Sequence, residues 1–481
     1  MTESNPSGFQ VTFLGGDRQV TGSCTHIEAD GVSLVVDCGL FQEREFLERN
    51  WGPFAFDPGR LDYVLLTHAH LDHCGLLPKL VREGFRGRIL TTEATRDLLP
   101  IVLEDSAHLQ EEDAAYKKKR HAREGRRGPH PVVPLYTVKD ARGVEPFVEA
   151  VSYGRRRPLS GRLGVAFHDA GHILGSAMIE LSLRGAEGEK RLLFSGDLGQ
   201  WDKPIVNDPA VFDRLDYLVL ESTYGAEDHE DPDSLADLLQ EHIDRTVGAG
   251  GNVLIPTFAL ERAQEVLYTL GLLFAEQRLP RVPVFLDSPM AIEVTRVFEN
   301  HVAFMDRQAQ DLFRSGHHPF RFPSLRPVRT TEESKALNRL GEPFVVLAGS
   351  GMCTGGRIKH HLQHNIGRPE SLVLFVGYQA RGTLGRQILD GRSPVRIHGE
   401  QYPLRARTAQ IRGFSAHAGR RDIVRWLRFI RNEPLVFLKH GEEDKASALE
   451  AVIREEFGWR VFLPSYLEEV ALNGRTAPGP S

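Results

Sequence analysis

The sequence predicts an α/β fold made of one discontinuous domain with a second α/β domain inserted into it. Three observations predict it. In the first half, short apolar runs each end in a polar residue, as in a sheet with its site at one rim. From about residue 225, strand-like runs alternate with helical ones, the order of a parallel, doubly wound sheet. Near residue 405 the earlier style returns. The expected parts are 1–224, 225–405 and 406–481.

Val11-Thr12-Phe13-Leu14 and Ser33-Leu34-Val35-Val36 read as strands, the second ending in Asp37. Tyr63-Val64-Leu65-Leu66 runs into Thr67-His68-Ala69-His70-Leu71-Asp72-His73, and Leu76, Leu77, Leu80 and Val81 follow with helical spacing. Val165-Ala166-Phe167 leads to the Gly-flanked His172. Arg191-Leu192-Leu193-Phe194 leads to Ser195-Gly196-Asp197, and Tyr217-Leu218-Val219-Leu220 to Glu221. The segment Glu227 to Asp233 is acidic and contains Pro232. Beyond it, strands over 252–255, 282–286, 344–347 and 372–376 precede helices expected from about Ala259, Met290, Gly356 and Leu384. Gly413-Phe414-Ser415-Ala416-His417 precedes a helix with Ile423, Trp426, Leu427 and Ile430 on one face. Leu435-Val436-Phe437-Leu438 delivers Lys439-His440-Gly441-Glu442.

A chain of 481 residues buries a large core in more than one domain. Its 41% hydrophobic and 26% charged residues are ordinary for a globular protein. A net charge of -6 excludes an overall basic coat but not a local basic surface. Cys24, Cys38, Cys74 and Cys353 form no C-x-x-C pair, which points to small buried thiols in a reducing compartment. Met1 to Gln10 is polar without an apolar signal core, and no apolar run is long enough to span a bilayer. The expected location is the cytoplasm, with no membrane partner. The basic run from Lys117 to Arg127 reads as a solvated helix end.

The His68–His73 stretch places four potential metal ligands within six residues. His68 and His70, two apart in an extended loop, can point the same way, and Asp72 and His73 turn into a helix. Two sites are expected: His68, His70 and His172 at the first, and Asp72, His73 and His440 at the second. Asp197, a carboxylate, can bridge both. Imidazoles with carboxylates suit two zinc ions, and residue type alone leaves manganese or iron open.

Asp37, His68–His73, His172 and Asp197 together resemble the four shared motifs of the metallo-β-lactamase superfamily. Glu221-Ser222-Thr223-Tyr224-Gly225, Gly413-Phe414-Ser415-Ala416-His417 and His440-Gly441-Glu442 resemble motifs A, B and C of its β-CASP nucleases. The stretches Gly349–Gly356 and Gly377–Gly385 resemble parts of the β-CASP insert. The resemblance implies a metallo-β-lactamase αββα sandwich with an inserted Rossmann-like β-CASP domain. It is strongest to the endonuclease subunit of the pre-mRNA 3′-end cleavage factor and its bacterial single-chain relatives. RNA-directed members carry histidine in motif C, so His440 implies single-stranded RNA as substrate. About forty residues follow His440, too few for the extra C-terminal domain of one ribonuclease branch, and no KH-type extension precedes Val11.

The implied reaction is hydrolysis of a phosphodiester by a hydroxide activated between two metals, leaving 5′-phosphate and 3′-hydroxyl ends. His417 is the expected general acid for the leaving oxygen, with Glu221 orienting it. Asp197 is catalytic as well as metal-binding, and Asp37 is expected to orient a ligand histidine. Twelve arginines stand between Tyr378 and Arg431, against the acids Asp390, Glu400 and Asp422 and no lysine. That excess suits a lining for backbone phosphates. Arg381, Arg262, Ser350, Gly351, Thr383 and Ser415 are the candidate substrate-binding residues. No G-x-G-x-x-G or P-loop pattern marks a nucleotide cofactor. A DNA nuclease of the same family, a small-molecule metallohydrolase of the glyoxalase or lactamase type, and an inactive scaffold are the competing readings. The residues leave endonuclease versus 5′-exonuclease action and a homo-oligomer open.

Overall fold

The computed structural model describes residues 8–125, 132–186, 188–229, 234–380 and 382–472. The chain divides into two compact units. The first comprises 1–201, 208–228 and 417–481; the second comprises 202–207 and 229–416. The insert thus extends to Ala416, past the expected return at 406, and takes in the short segment 202–207.

The first unit holds two seven-stranded sheets. In the first, the order is Glu469–Leu472, Phe9–Gly15, Cys24–Ala29, Val32–Val36, Tyr63–Leu65, Arg88–Thr92, Val148–Val151. In the second it is Val461–Phe462, Leu435–Lys439, Tyr217–Glu221, Gly188–Phe194, Ala177–Gly185, Leu163–Asp169, Arg157–Pro158. Each sheet is antiparallel at one side and parallel at the other. Inward-facing Phe13, Ile27, Leu34, Phe167, Ile179, Phe194, Val219 and Phe437 form one buried cluster between the sheets. On the second sheet, Leu218 and Leu220 alternate with Val219 and face outward. They meet Ile423, Trp426, Leu427, Leu449 and Ile453 from the helices Arg420–Leu427 and Glu443–Phe457 and the chain around them. The result is an αββα sandwich. Ile430, expected on the first of these helices, lies beyond its end yet is still buried.

A 32-residue helix, Glu93–Glu124, follows the strand Arg88–Thr92. Thr92 caps it by accepting from the Thr95 amide. Only its first half is buried, through Leu98, Leu99, Val102, Leu103 and Ala107. Lys117–Arg120 lies on its solvated second half, and Arg126 and Arg127 lie outside the described residues.

The second unit is built on a six-stranded, wholly parallel sheet. Its order is Leu325–Pro327, Val284–Asp287, Val345–Ala348, Val253–Pro256, Leu372–Phe375, Arg407–Gln410. The connecting helices are Arg262–Ala275, Pro289–Asn300, Thr331–Leu337, Ile358–Asn365 and Leu384–Leu389. The helix expected from Ala259 starts at Arg262, because Glu261 takes φ of 64° and the chain is still turning there. Among the described residues no helix is long and apolar enough to cross a membrane.

Candidate metal centre

In the first unit, the loop leaving Tyr63–Leu65 carries His68 and His70, and the short helix Leu71–Cys74 carries Asp72 and His73. Close backbone packing brings the other loops to it. A Cβ at Gly199 would lie 1.8 Å from the Gly171 carbonyl oxygen, so only glycine lets the Asp197 loop close on the His172 loop. Likewise, a Cβ at Gly39 would fall 1.6 Å from the Asp72 carbonyl oxygen.

Two donor sets result. His68 Nε2 lies 3.0 Å from His70 Nδ1, which lies 3.3 Å from His172 Nε2. Asp197 Oδ2 is 3.4 Å from His68 Nε2 and 3.5 Å from His172 Nε2. On the other side, His73 Nε2 lies 3.0 Å from His440 Nε2, itself 3.4 Å from Asp72 Oδ2. Asp197 Oδ1 is 3.2 Å from His73 Nε2 and 3.5 Å from His440 Nδ1. One carboxylate therefore faces both sets with a different oxygen. All seven residues read as ligands lie in groups whose donor atoms converge: His68, His70, His172 and Asp197; Asp72, His73 and His440; and Asp197 and His440 again, with His417.

Protonation fits metal binding at the first set. Burial and neighbouring imidazoles push His68 down, His70 to about 3, and His172 well below its ordinary value. All three are neutral at physiological pH, as nitrogen ligands must be. Burial works against ionisation of Asp197, but His440, His73, His417 and His68 hold it well below the carboxylate range. Its buried Oδ1 accepts no hydrogen bond. Closely facing ring nitrogens around an unpartnered carboxylate oxygen are what a divalent cation would satisfy.

Hydroxyls and carboxylates behind the rings select tautomers. Asp37 Oδ2 is 2.7 Å from His73 Nδ1, and its Oδ1 accepts from the Thr67 amide and hydroxyl, both at 2.9 Å. Thr67 Oγ1 lies 3.0 Å from His68 Nδ1. Thr223 Oγ1 donates to the His440 carbonyl at 2.9 Å and faces His440 Nδ1 at 3.1 Å. Each contact suits a proton on Nδ1, the tautomer in which Nε2 can serve as the metal-binding atom. Without a metal, burial opposes the charged ring of His73, yet Asp197 and Asp37 raise it well above its ordinary value, so binding there would displace a proton. Asp37 and His440 both hold positive φ, 61° and 52°. Such backbone, costly for non-glycine residues, concentrates at functional sites.

His417 stands beside both sets. Its Nδ1 is 3.1 Å from Glu221 Oε1 and 3.9 Å from Asp197 Oδ2. Glu221 is fully buried and accepts from the Leu198 amide at 2.7 Å. Burial disfavours the imidazolium of His417, yet the Glu221 and Asp197 charges outweigh it and raise the group to about 9. That shift favours the protonated imidazole of His417, whose side chain is 20% exposed.

The substrate candidates are spread over the second unit. Ser350 and Gly351 lie in the loop after Val345–Ala348, where Ser350 Oγ accepts from the Thr354 and Gly355 amides. Arg262 donates to the Val376 carbonyl. Thr383 is an N-cap: its hydroxyl donates to the Ala380 carbonyl at 2.7 Å and accepts from the Arg386 amide at 3.2 Å. That hydroxyl proton is already engaged within the fold. Ser415 is buried, and Arg381 lies outside the described residues.

Sequence reasoning passed over Thr67 and Thr223, although both sit inside motif stretches. It also passed over a buried charge beside His440. Lys439 Nζ donates to Thr25 Oγ1 at 2.6 Å and stands 3.9 Å from Asp17 Oδ1. Burial raises Asp17 to about 7 from 3.8, against the pull of Lys439. Its folded pKa exceeds the unfolded one, so its contribution is most favourable below pH 4 and is lost as pH rises through 7. In metal-free melts, stability of the natural protein relative to Asp17→Asn should fall between pH 4 and pH 7. A pH-independent difference would contradict this.

Three family descriptions match along the chain: the metallo-beta-lactamase superfamily over 17–241, the Beta-Casp domain over 263–388, and the Zn-dependent metallo-hydrolase RNA specificity domain over 401–464. Ribonuclease TTHA0252 of Thermus thermophilus is 43% identical over 92% of this chain and 95% of its own length. The chain belongs to the β-CASP ribonuclease family of the metallo-β-lactamase superfamily. Within this family of metal-dependent hydrolases, transcription termination factor FttA of Methanocaldococcus jannaschii is 32% identical, over 96% of this chain and 71% of its own length. A solved protein of unknown function from Enterococcus faecalis V583 shares the fold, with a TM-score of 0.53 at 13% identity over 97% of this chain and all of that one. Family membership agrees with the sandwich, the inserted domain and the metal-binding character read from the motifs.

Proposed function

We propose that this β-CASP protein is a two-metal ribonuclease that hydrolyses single-stranded RNA and leaves 5′-phosphate and 3′-hydroxyl ends. The observation that carries it is Asp197, shared between two donor sets, with the His417–Glu221 pair alongside. His68, His70 and His172 would hold one divalent cation, and Asp72, His73 and His440 a second, with Asp197 between them. Zinc is the first choice for this ligand set, and manganese an alternative. When bound, such a pair lowers the pKa of a shared water and neutralises charge on a phosphoryl oxygen.

The chain's own residues do the rest. Asp37 and Thr67 fix the ligand rings. Glu221 binds the Nδ1 side of His417, which leaves Nε2 to give its proton to the departing 3′-oxygen. His440, the residue of RNA-directed members at motif C, and the relative named a ribonuclease both support RNA as substrate.

Incubation of the zinc-loaded protein with 5′-labelled single-stranded RNA and matched DNA tests this. Cleavage of RNA with 5′-phosphate products, abolished by a chelator and restored by zinc or manganese, is expected. Internal fragments would mark endonucleolytic cleavage and released mononucleotides 5′-exonucleolytic cleavage. Preferential cleavage of DNA, or chelator-resistant cleavage of RNA, would overturn the reading.

A further inference from the structure

The parallel sheet of the second unit has a topological switch point. The chain leaves Val253–Pro256 toward Val284–Asp287 and leaves Leu372–Phe375 toward Arg407–Gln410, in opposite directions across the sheet. The two departure strands are neighbours, paired Val253 to Leu372. Open α/β sheets bind ligands in the crevice that such a divergence opens at the strands' carboxyl ends.

Two large aromatic side chains stand on this rim. Phe258 follows Val253–Pro256, and Tyr378 follows the adjacent Leu372–Phe375; each is 46% exposed. What sets this pair apart from singly exposed apolar side chains is their place, at the carboxyl ends of two neighbouring strands of the parallel sheet. Phe258 packs against Gly351. A Cβ on Gly351 would come within 2.9 Å of its ring, so the ring lies against bare glycine backbone. The loops around it are fixed: Gln379 donates to the Gly351 carbonyl at 3.0 Å, and the Gly385 amide to the Met352 carbonyl at 3.1 Å. Arg262 lies against Gly377, where a Cβ would meet its guanidinium at 2.7 Å. The rim thus carries two exposed aromatic side chains on hydrogen-bonded loops, with a guanidinium packed at Gly377. A nucleobase offers a planar partner to such faces, and its phosphate an anion to the arginine.

We propose that Phe258 and Tyr378 form a stacking platform for unpaired bases of the RNA substrate. This deepens the ribonuclease reading and rests on it. Stacking on an aromatic ring accepts any base, so the platform recognises unpaired strands without reading sequence.

Fluorescence anisotropy in the presence of a chelator, which prevents turnover, separates stacking from phosphate contacts. Two labelled probes of equal length are used: a single-stranded RNA and a ribose-phosphate strand without bases. Phe258→Ala and Tyr378→Ala should each weaken RNA binding by about 5- to 100-fold. Phe258→Trp should retain it. The natural protein should bind the abasic strand weakly, and neither alanine variant should weaken that further. Equal losses on both probes, or none on RNA, would overturn the platform while leaving the ribonuclease reading intact. Natural protein that neither binds nor cleaves RNA would overturn both.

Discussion

Asp197→Ala is expected to strip metal and abolish RNA cleavage together. The two oxygens of Asp197 face different donor sets, Oδ2 toward His68 and His172 and Oδ1 toward His73 and His440. A residue that merely supports a ligand costs roughly 10–100-fold in metal affinity when removed. Loss of a shared ligand should exceed that at both positions. Charge stabilisation by bound cations amounts to several kcal/mol, so turnover should fall by about 10³-fold or more. Native mass spectrometry should count two ions on the natural protein and fewer than two on the variant. Asp197→Asn separates charge from size, since the amide fills the same space with no anionic oxygen to share. A fully active variant with both ions bound would remove the assignment.

That this centre is legible in the sequence follows from how local its chemistry is. His68, His70, Asp72 and His73 are adjacent in the chain, and the strand before them is a plain apolar run. His172, Asp197, Glu221 and His440 each follow such a run, so a sheet topology alone carries them to one rim. The alternation of strands and helices from Val253 onward is equally local, a switch of hydrophobic period from two to 3.6. What stays hidden depends on partners far away in sequence. The pairing of Lys439 with Asp17 spans nearly the whole chain, and nothing near Lys439 in sequence marks it as buried. The helix Glu93–Glu124 hides for a different reason. Its buried face ends at Ala107, Pro100 sits inside it, and its second half is polar all round, so no apolar stripe announces its length. Thr383 reads in sequence as a hydroxyl donor to phosphate, whereas its role as an N-cap emerges only once the helix Leu384–Leu389 is in place.

His417→Ala should slow RNA cleavage by roughly 10²–10⁴-fold while both ions stay bound. His417 Nδ1 stands 3.9 Å from Asp197 Oδ2 and is engaged by Glu221 at 3.1 Å, although it shares a group of converging donors with Asp197 and His440; the six other side chains around Asp197 should hold both ions without it. On the proposed mechanism, what would disappear is the proton for the 3′-oxygen, which would then have to depart as an alkoxide. The Glu221 carboxylate at 3.1 Å keeps the imidazole charged and oriented, so Glu221→Gln should give a smaller loss in the same direction. A substrate with sulfur at the bridging 3′ position separates acid catalysis from simple misplacement. A thiolate leaves without protonation, so His417→Ala should cleave that linkage nearly as fast as the natural protein does. Equal slowing on the oxygen and sulfur linkages would show that His417 positions the substrate instead of protonating it. Unchanged turnover on RNA would deny it either role.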